Sequence, residues 1–563
     1  MIFMERKDAI RKIFLLMLYL TVSFTVGAVP AKPGQRRVLE LADGAKVTAL
    51  LVGDEFCHYW LGEDGTAYKE ESGAFIPIDR ESMEMKASQR RISSNHNRQA
   101  RLAPMRGQSA KRVGYTGQKK GLIILVNFKD WSFKPEYDNA LFQRIANEKN
   151  FTQDDFKGSV YDYFYDQSEG QFQLTFDVVG PYMLSDSVAY YGKNTGVNDD
   201  DCGAALMVIE ALHLADASVN YADYDWDGNG EVEQIYILYA GKGEADGGSS
   251  NTIWPHEWDL YSAQTEYHQG NGPQFLDGVY INTYACSCEL SGSGKICGIG
   301  TMCHEFSHCL GFPDFYDIDY SGGQGMHTWD IMCSGSYNDN GFVPAGYTSY
   351  ERWVAGWKAP VELKVTTNVI GMKSLQDGGD TYVIYNKGHR DEYFLLENRQ
   401  KKGWDTYVPA SGLLILHVDY DQSAWELNSP NDDPDHQRMT WIPADNECQF
   451  DSIRGEKYVS DKGALYDTFP YDTVNSFGPN TTPAARFYNL NSNGTYYMDS
   501  SVENITQNAD GTISFSFIGP STKVMRVESD ESDTWYDLLG RRLDGKPATS
   551  GVYLHNGRKV VII

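Results

Sequence analysis

The sequence has few basic residues, few cysteines and few long hydrophobic runs. Its 49 lysines and arginines are outnumbered by 77 aspartates and glutamates, which gives a formal net charge of −28. An acidic surface repels nucleic acid, so we expect no DNA or RNA partner. Beyond the N-terminus no apolar run reaches the roughly 20 residues of a membrane-spanning helix, so we expect no membrane span. The 563 residues are enough for about three or four domains.

Residues 1–28 have the pattern of a secretory signal peptide. A basic start that includes Lys7 and Arg11 precedes an apolar core at 13–26, and small residues follow up to Ala28. The apolar core is about half as long as a membrane helix, which favours cleavage over an uncleaved anchor. We therefore expect a secreted or cell-surface protein.

Nine cysteines are present, and five of them fall between residues 286 and 309. An odd number leaves at least one thiol free or paired with another chain. This cluster is compatible with disulfides, with a second metal site or with buried thiols, and its spacing does not choose among them. Because export favours oxidation, disulfides are the preferred interpretation.

Residues 29–120 form a predicted propeptide. Alternating stretches with turns at 29–88 predict β-hairpins, and the basic, apolar-poor stretch at 89–120 predicts a disordered linker. This linker is either a processing site for a trypsin-like or Arg-specific protease or a passive connector. We expect the propeptide to inhibit the rest of the chain. Cys57 is either a thiolate ligand that blocks a metal or simply a buried thiol.

The next region, residues 121–358, mixes strand and helix patterns and predicts a layered α/β (α+β) domain. The run at 122–128 and the run at 234–241 are typical of strands buried on both faces. The stretches at 159–171 and 204–215 predict helices, the first with Ser159 as its cap.

The remaining chain has a β character. Residues 359–520 carry short strand patterns between turn residues, which predict a β-sandwich-like domain. Residues 521–563 combine a polar linker with a small β unit. The tail segments YDLLGRR, SGVYL and NGRKVVI resemble C-terminal domains of proteins exported by the bacterial type IX system, and a β cap without a sorting role is the alternative.

The segment CHEFSHCLGFPD carries the strongest chemical signal. If residues 299–310 are helical, His304 and His308 lie one turn apart and project the same way, as two neutral imidazole ligands of a tetrahedral Zn²⁺ require. Gly311 can end the helix in a left-handed cap. The resulting bend would return Asp314 as a third ligand, with a fourth position open for water.

Glu305 follows the first histidine directly and can reach the water without binding the metal. Zinc lowers the pKa of its water toward about 7 and polarises the scissile carbonyl. Glu305 would take the proton and pass it to the leaving amine, a role that contributes about 10²- to 10⁴-fold in rate. The motif therefore predicts a zinc-dependent endopeptidase that acts on proteins or peptides.

A second motif, WDIMCSGSY at 329–337, follows a glycine-rich stretch. Its Met332 fits the hydrophobic floor that lies below the metal in metzincins. A methionine in a loop is more often simply part of the core, so this motif supports the zinc site only in combination with the histidines.

These segments resemble the immune inhibitor A-like metallopeptidases, which are metzincin-like zinc endopeptidases of bacteria. The resemblance runs from about Gly121 to Trp357 and more weakly to about 520. It implies a metzincin-like fold in which the two histidines and Asp314 hold zinc and Glu305 is catalytic. Most metzincins have a third histidine in place of this aspartate, and the immune inhibitor group is similar in using Asp. The motifs that carry the resemblance are GLIILVNF, SVYDYFYDQSEGQF, DYDWDGNGEVEQIYILYAG, IWPHEW, HEFSHCLGFPDFYD, WDIMCSGSY, EYFLLENRQ and GLLILHVD.

The acidic segment DYDWDGNGEVE predicts a structural calcium loop. Alternate oxygen ligands and a glycine for a sharp turn are what Ca²⁺ requires. The match to an EF-hand fails because the twelfth position is Gln234 and a strand follows, so we expect a stand-alone loop. An acidic turn without an ion is the alternative. The candidate ligands are Asp223, Asp225, Asp227, Asn229, Glu231 and Glu233.

Other interpretations stay open at the level of sequence. His256 in IWPHEW either lines the substrate cleft or, more commonly for such a residue, packs as a structural side chain. A surface-binding or adhesin protein could carry a structural zinc, although such sites usually fill all four positions with protein. A zinc amidase or esterase would use the same centre on another bond. We expect a monomer.

Overall fold

A computed structural model gives the architecture of most of the chain. The predicted signal peptide and most of the basic linker lie outside the described residues. The chain divides into two compact units after residue 518, and each is described by itself. No helix among the described residues is both long enough and apolar enough to cross a bilayer. The described residues are 29–85 except 56, 72, 81 and 84, 115–194, 203–318, 322–520 except 448–449, 454–455 and 460–463, and 534–562 except 556–557.

The first unit begins with a five-stranded antiparallel sheet whose strands follow one another in chain order. The hairpins predicted at 29–88 are therefore present. Side chains of this sheet, including Val52 and Tyr59, share one hydrophobic cluster with Leu122 and Ile124, so the sheet packs on the domain that follows. The strands are β1 (Arg36–Glu40), β2 (Lys46–Gly53), β3 (His58–Gly62), β4 (Ala67–Glu71) and β5 (Ala74–Pro77).

The centre of the first unit is a mixed five-stranded sheet in the order β7-β6-β8-β12-β9. Four strands of this sheet run parallel to one another, namely β7, β6, β8 and β12. The edge strand β9 pairs with β12 in the antiparallel direction. A small hairpin, β10-β11, precedes β12. The strands are β6 (Gly117–Asn127), β7 (Phe172–Met183), β8 (Ile235–Lys242), β9 (His256–Asp259), β10 (Gln274–Leu276), β11 (Val279–Ile281) and β12 (Thr283–Leu290).

Strand β6 begins at Gly117, and the predicted start of order at Gly121 is therefore wrong. Lys119 and Lys120 belong to this strand rather than to a disordered linker. Both ammonium groups have partners near the start of the strand. Lys119 Nζ donates to Trp226 O at 3.0 Å, and Lys120 Nζ lies 2.9 Å from an Asp177 carboxylate oxygen. Pairing with β7 thus extends the strand into a sequence that looks polar.

Helices cover both faces of the central sheet, which confirms the mixed α/β class. Ile123 and Leu125 of β6 pack in one cluster with α1, α2 and α6, while Leu122 and Ile124 pack in another with α4. Helix α2 begins at a capping box formed by Ser159, as predicted. The helices are α1 (Asn139–Asn147), α2 (Val160–Gln167), α3 (Val188–Gly192), α4 (Ala204–Ala215), α5 (Leu260–Tyr267), α6 (Gly300–Cys309), α7 (Ser349–Val354) and α8 (Gln422–Glu426).

The region after α7 contains a five-stranded sheet, β13-β15-β16-β17-β18, and a three-stranded sheet, β14-β22-β21. Phe394 and Leu413 of the larger sheet pack against Phe515 of the smaller one, as in a sandwich. The opposite face of the larger sheet, with Leu395 and Leu414, is buried in the cluster that contains α6. The strands are β13 (Val361–Glu362), β14 (Thr367–Met372), β15 (Tyr382–Tyr385), β16 (Glu392–Arg399), β17 (Gly412–Asp419), β18 (Met439–Trp441), β19 (Phe450–Ile453), β20 (Glu456–Val459), β21 (Ser501–Gln507) and β22 (Ile513–Ile518).

The second unit is a four-stranded antiparallel sheet in the order β24-β23-β25-β26. Within it Trp535 stacks on His555, with ring centroids 4.2 Å apart. The strands are β23 (Trp535–Tyr536), β24 (Arg542–Leu543), β25 (Gly551–His555) and β26 (Arg558–Ile562).

The described residues contain none of the disulfides that the sequence favours. Seven cysteines lie among these residues and none of them takes part in a disulfide, while Cys202 and Cys448 lie outside them. The Sγ atoms of Cys288 and Cys297 are 3.7 Å apart, which is a hydrogen-bonding distance and not a disulfide. The cysteines of the 286–309 cluster serve mainly as small apolar side chains in the core.

Substitution Leu395→Ala tests whether the β region and the α/β domain stabilise each other. Leu395 is fully buried between them, so the cavity should lower the free energy of unfolding by about 2–5 kcal/mol. Ile370→Ala is the control, because Ile370 is 83% exposed and its loss should change stability by less than about 0.5 kcal/mol. Urea denaturation measures both. Equal midpoints for the two variants would contradict the shared core.

Candidate metal centre

Helix α6 carries the predicted metal-binding motif through the middle of the core. It starts in close contact with a loop, since a Cβ atom on Gly300 would lie 1.9 Å from Ser336 O. It ends at Gly311, whose φ of +90° turns the chain sharply, as predicted. Met302 and Phe306 anchor one face in the hydrophobic cluster, and this leaves the histidine face for the site.

Three potential ligand atoms converge at the end of this helix. His304 Nε2 and His308 Nε2 are 3.3 Å apart. Asp314 Oδ1 lies 3.1 Å from the first and 3.6 Å from the second. All three side chains are fully buried. The structure therefore brings together the three residues that the sequence proposes as ligands.

The hydrogen bonds of the imidazoles fix which atoms face the site. His304 Nδ1 lies 2.6 Å from Ile331 O, and His308 Nδ1 lies 2.8 Å from Phe312 O. A carbonyl only accepts, so each Nδ1 carries a proton, and each Nε2 is the atom that faces the site. Carbonyl partners of this kind are typical of metal-binding histidines.

Two lone pairs and a carboxylate oxygen in van der Waals contact repel one another unless a cation lies between them. Asp314 Oδ1 is buried and accepts no hydrogen bond among the described residues. Ligand atoms about 2.0–2.1 Å from a tetrahedral zinc are about 3.3 Å apart, close to the three separations here. The donor set of two nitrogens and one oxygen therefore fits Zn²⁺.

Asn428, which the sequence did not identify, orients Asp314. Its Nδ2 donates to Asp314 Oδ2 at 2.6 Å, and its Oδ1 accepts from Asp314 N at 2.7 Å. The pair of bonds holds the other carboxylate oxygen toward the histidines. Asn428 follows α8, more than a hundred residues from the motif, and a left-handed φ of +53° is the backbone state that asparagine tolerates.

The loop of the second motif, residues 329–337, contacts the site through the main-chain oxygen of Ile331. Met332 is fully buried, and its carbonyl accepts from Phe315 N at 2.7 Å. Asp330 organises this loop, because its Oδ1 accepts from Met332 N and its main-chain oxygen accepts from Gly335 N. Burial, together with the nearby Glu351 carboxylate, raises the pKa of Asp330 well above its usual value. The loop in turn places Ile331 O against His304.

Glu305 is buried beside the three convergent atoms. Glu305 Oε1 accepts a hydrogen bond from Val29 N at 2.9 Å. A carboxylate oxygen of Glu305 lies within 4.8 Å of nitrogens of both His304 and His308. Gln234 Nε2 donates to the main-chain oxygen of Glu305 at 3.3 Å. The Glu305 carboxylate therefore belongs to the same buried cluster as the two imidazoles.

The acidic loop brings together only part of its predicted ligand set. Carboxylate oxygens of Asp225, Asp227 and Glu233 lie within 4.8 Å of one another. Asp223 is not in this group, and its carboxylate accepts from Asn220 Nδ2 instead. The loop contacts the core through Trp226, whose main-chain nitrogen donates to Glu233 Oε2 at 2.7 Å. Glu231 is also outside this group of carboxylates, and its main-chain nitrogen donates to Asn229 Oδ1 at 2.7 Å.

His256 and Cys57 have structural surroundings. His256 Nδ1 lies 2.6 Å from Trp254 O, and Nε2 lies 3.0 Å from the Tyr284 hydroxyl. Burial lowers the pKa of His256 to about 4, so the ring is neutral at physiological pH. Cys57 is buried in the same hydrophobic cluster as Leu122.

Comparison with known proteins gives one family. Residues 107–357 match the catalytic domain of the immune inhibitor A peptidase M6 family. The pre-pro-metalloprotease PrtV of Vibrio cholerae serotype O1 is 28% identical over an alignment of 277 residues, which covers 43% of this chain and 30% of that protein. Immune inhibitor A of Bacillus thuringiensis subsp. alesti is 23% identical over an alignment of 305 residues, which covers 45% of this chain and 43% of that protein. The chain thus spans less than half the length of these curated relatives.

Asn428→Gly should weaken zinc binding about 10- to 100-fold, because the carboxamide that orients Asp314 is lost. Glycine keeps the left-handed backbone, so the loop itself is retained. Asn446→Gly is the matched control, at another left-handed asparagine with a φ of +59°. Competition with a chromogenic zinc chelator measures the affinity. Equal zinc affinities for the two variants would show that the hydrogen bonds between Asn428 and Asp314 do not contribute to zinc binding.

Proposed function

We propose that the chain is a secreted zinc-dependent endopeptidase of the immune inhibitor A-like metallopeptidases, the family whose catalytic domain residues 107–357 match. The observation that carries the proposal is the convergence of His304 Nε2, His308 Nε2 and Asp314 Oδ1 next to the Glu305 carboxylate. Three protein ligands leave a tetrahedral ion one position for solvent, as catalytic zinc requires and structural zinc does not. This favours an enzyme over an adhesin with a structural metal. A metzincin-like arrangement, with Met332 below the metal, belongs to the same proposal.

His304, His308 and Asp314 would hold the ion, and Asn428 would fix the aspartate. When bound there, zinc supplies the Lewis acidity that activates water and polarises the scissile carbonyl.

Glu305 is the proposed general base and then the general acid. It takes a proton from the attacking water, whose oxygen forms a bond to the carbonyl carbon. As the carbon–nitrogen bond breaks, Glu305 gives the proton to the leaving amine. Its hydrogen bond to Val29 N supports this role, because the contact has the carboxylate facing a peptide nitrogen.

Glu305→Gln should lower casein hydrolysis by about 10²- to 10⁴-fold, because glutamine cannot accept the proton. Zinc content, measured by mass spectrometry, should stay the same. The assay follows limited trypsin cleavage, which removes any inhibition by the N-terminal region. Glu148→Gln, at an exposed ion pair with Arg144, is the control and should keep full activity.

Two outcomes would count against the proposal. Full activity of Glu305→Gln would show that Glu305 is not the group that transfers the proton. A cleaved wild-type chain that binds zinc without hydrolysing casein would leave the amidase, esterase or binding alternatives, which a panel of ester and amide substrates separates.

We also propose that residues 1–28 are a signal peptide and that a propeptide follows from residue 29 and ends before the first strand of the central sheet. The packing of the N-terminal sheet on the central sheet supports the second assignment, and the name of the Vibrio relative describes a protein with both pre- and pro-segments. The strand at Gly117 implies that processing occurs before Tyr115, whose main-chain oxygen accepts from Trp357 Nε1 at 2.7 Å. Delivery by a type IX-like system is proposed for the tail.

The acidic loop is a proposed structural calcium site formed by Asp225, Asp227 and Glu233. Backbone nitrogens of Gly228, Asn229 and Gly230 donate to Asp225, so the loop is already folded around this carboxylate. Trp226 lies 6.2 Å, centroid to centroid, from Phe306 on α6. Calcium would therefore stabilise the packing behind the metal-binding helix.

Calcium at about 100-fold above its Kd should stabilise the wild-type chain by about 2.7 kcal/mol. Asp227→Asn should abolish most of this gain, because it removes one charge from the cluster. Asp223→Asn is the control within the same segment and should keep the gain. Thermal unfolding with calcium and with a chelator measures the effect. Loss of the gain in both variants would favour the larger ligand set that the sequence proposes.

A further inference from the structure

Two acidic side chains outside the proposed ligand set meet in the core. Asp330 belongs to the loop of the second motif and Glu351 belongs to α7, and both are 0% exposed. Their carboxyl groups approach each other closely enough for a side-chain hydrogen bond. Two carboxylates that are both charged would repel each other strongly in such a buried place.

Each of the two carboxyl groups uses one oxygen to hold its own segment. Asp330 Oδ1 accepts from Met332 N at 2.9 Å. Glu351 Oε2 accepts from Thr348 N at 2.9 Å and also from the Thr348 hydroxyl. The other two oxygens, Asp330 Oδ2 and Glu351 Oε1, are buried and accept no hydrogen bond from the described residues. One proton between these two oxygens would give each of them a partner.

The cation near this pair is already engaged. Arg399 of β16 favours the charged form of Asp330. Its guanidinium, however, lies 2.6 Å from Asp405 Oδ1 and 3.1 Å from Glu397 Oε1. Because those two carboxylates balance its charge, Arg399 does not neutralise the pair as well.

The other titratable groups around the pair are neutral near pH 7. Burial raises the pKa of Tyr163 on α2 and that of Tyr347, which precedes α7, well above the usual value. Burial also raises the pKa of Cys333, in the same loop, to about 12. Burial and the Glu351 carboxylate together raise the pKa of Asp330 well above its usual value. The pair therefore keeps a proton at neutral pH, and this proton belongs to both groups.

The loop that Asp330 holds contacts the metal centre at two points. Ile331 O lies 2.6 Å from His304 Nδ1. Met332 O accepts at 2.7 Å from Phe315 N, the residue that follows Asp314. The loop thus fixes one imidazole directly and the segment of the aspartate through its backbone.

We propose that Asp330 and Glu351 share one proton, and that the hydrogen bond this proton makes fixes the loop that positions His304 and Asp314. Both are positioning residues, since neither belongs to the ligand set. The proposal rests on the proposed function in one respect, which is that the positioned residues are zinc ligands.

The shared proton changes how stability depends on pH. In the unfolded chain both carboxyl groups lose their protons near about pH 4, whereas the folded chain keeps one between them. Unfolding at neutral pH therefore releases this proton. The contribution of the pair to stability is full below about pH 4 and falls as the pH rises above it.

Asp330→Asn and Glu351→Gln each replace the shared proton by an amide N–H. The new amide donates to Glu351 Oε1 in the first variant and to Asp330 Oδ2 in the second, so both variants should fold. Urea unfolding of the full chain between about pH 5 and pH 8 gives the number of protons released. The wild-type chain should release about one proton more at neutral pH than either variant. Equal proton release in all three would overturn the shared proton.

The double variant Asp330→Asn/Glu351→Gln tests the contact itself. With two amides, one NH₂ group must face another donor, because Met332 N and Thr348 N already require the amide oxygens. Its urea midpoint should lie well below the value obtained by adding the two single effects. A double variant that does not fold while both single variants fold is the extreme form of this result, and additive effects would overturn the proposal.

Zinc affinity shows whether the contact positions the ligands. The double variant should bind zinc about 10- to 100-fold more weakly than either single variant, because the loop no longer fixes His304. Competition with a chromogenic chelator measures this. Equal affinities in a double variant that is destabilised would overturn the positioning role.

Glu392→Gln is the matched control for the amide substitution. Glu392 is also 0% exposed, but its Oε1 accepts from Tyr488 N at 2.5 Å and its Oε2 from Asn489 N at 3.0 Å. An amide there places a donor against a donor, so Glu392→Gln should lower the urea midpoint. A drop of the same size in Glu351→Gln would show that Glu351 Oε1 faces a donor rather than a shared proton.

The readouts separate this proposal from the proposed function. Proton release, unfolding and zinc affinity need no turnover. Non-additive effects of the two amides in a chain that does not hydrolyse casein would support the shared proton and overturn the proposed function. Casein hydrolysis by the wild-type chain, with additive effects of the two amides, would overturn the shared proton and leave the function in place.

Discussion

The structure depends on one electrostatic constraint. Two imidazole nitrogens and a carboxylate oxygen meet in the core, each close enough to the others to ligate one cation. His304, His308 and Asp314 reach this arrangement because carbonyl oxygens take the Nδ1 protons and Asn428 takes the other carboxylate oxygen. Burying such a set of acceptors is costly unless a cation is bound. The surrounding hydrogen bonds are therefore best understood as the framework of a metal site.

Residues from distant parts of the chain hold this arrangement. Helix α6 supplies the histidines, the loop at Met332 supplies the carbonyl for His304, and Asn428 comes from the β region, beyond the segment that matches the peptidase family. One face of the larger sheet of that region is buried in the hydrophobic cluster that contains α6. The other face is buried against the smaller sheet. The β region is thus part of the framework of the catalytic centre.

The N-terminal region makes two kinds of contact with the same domain. Its sheet adds apolar side chains to the cluster on one face of the central sheet. Its first described residues make polar contacts at Glu305, Trp254 and Tyr337.

Local sequence determined the metal-binding helix, its glycine stop, the capping box of α2 and the buried strands, because spacing, caps and apolar runs act over a few residues. It also suggested Asp314, since Gly311 permits the required bend. It missed the start of β6, since lysines at a strand end look like linker until Asp177 and Trp226 pair with them. Only tertiary structure placed Asn428 beside Asp314 and Val29 beside Glu305, brought carboxylates of Asp225, Asp227 and Glu233 together, and left the cysteines of the described residues outside any disulfide. Each of these depends on distances between chain segments that no local pattern encodes.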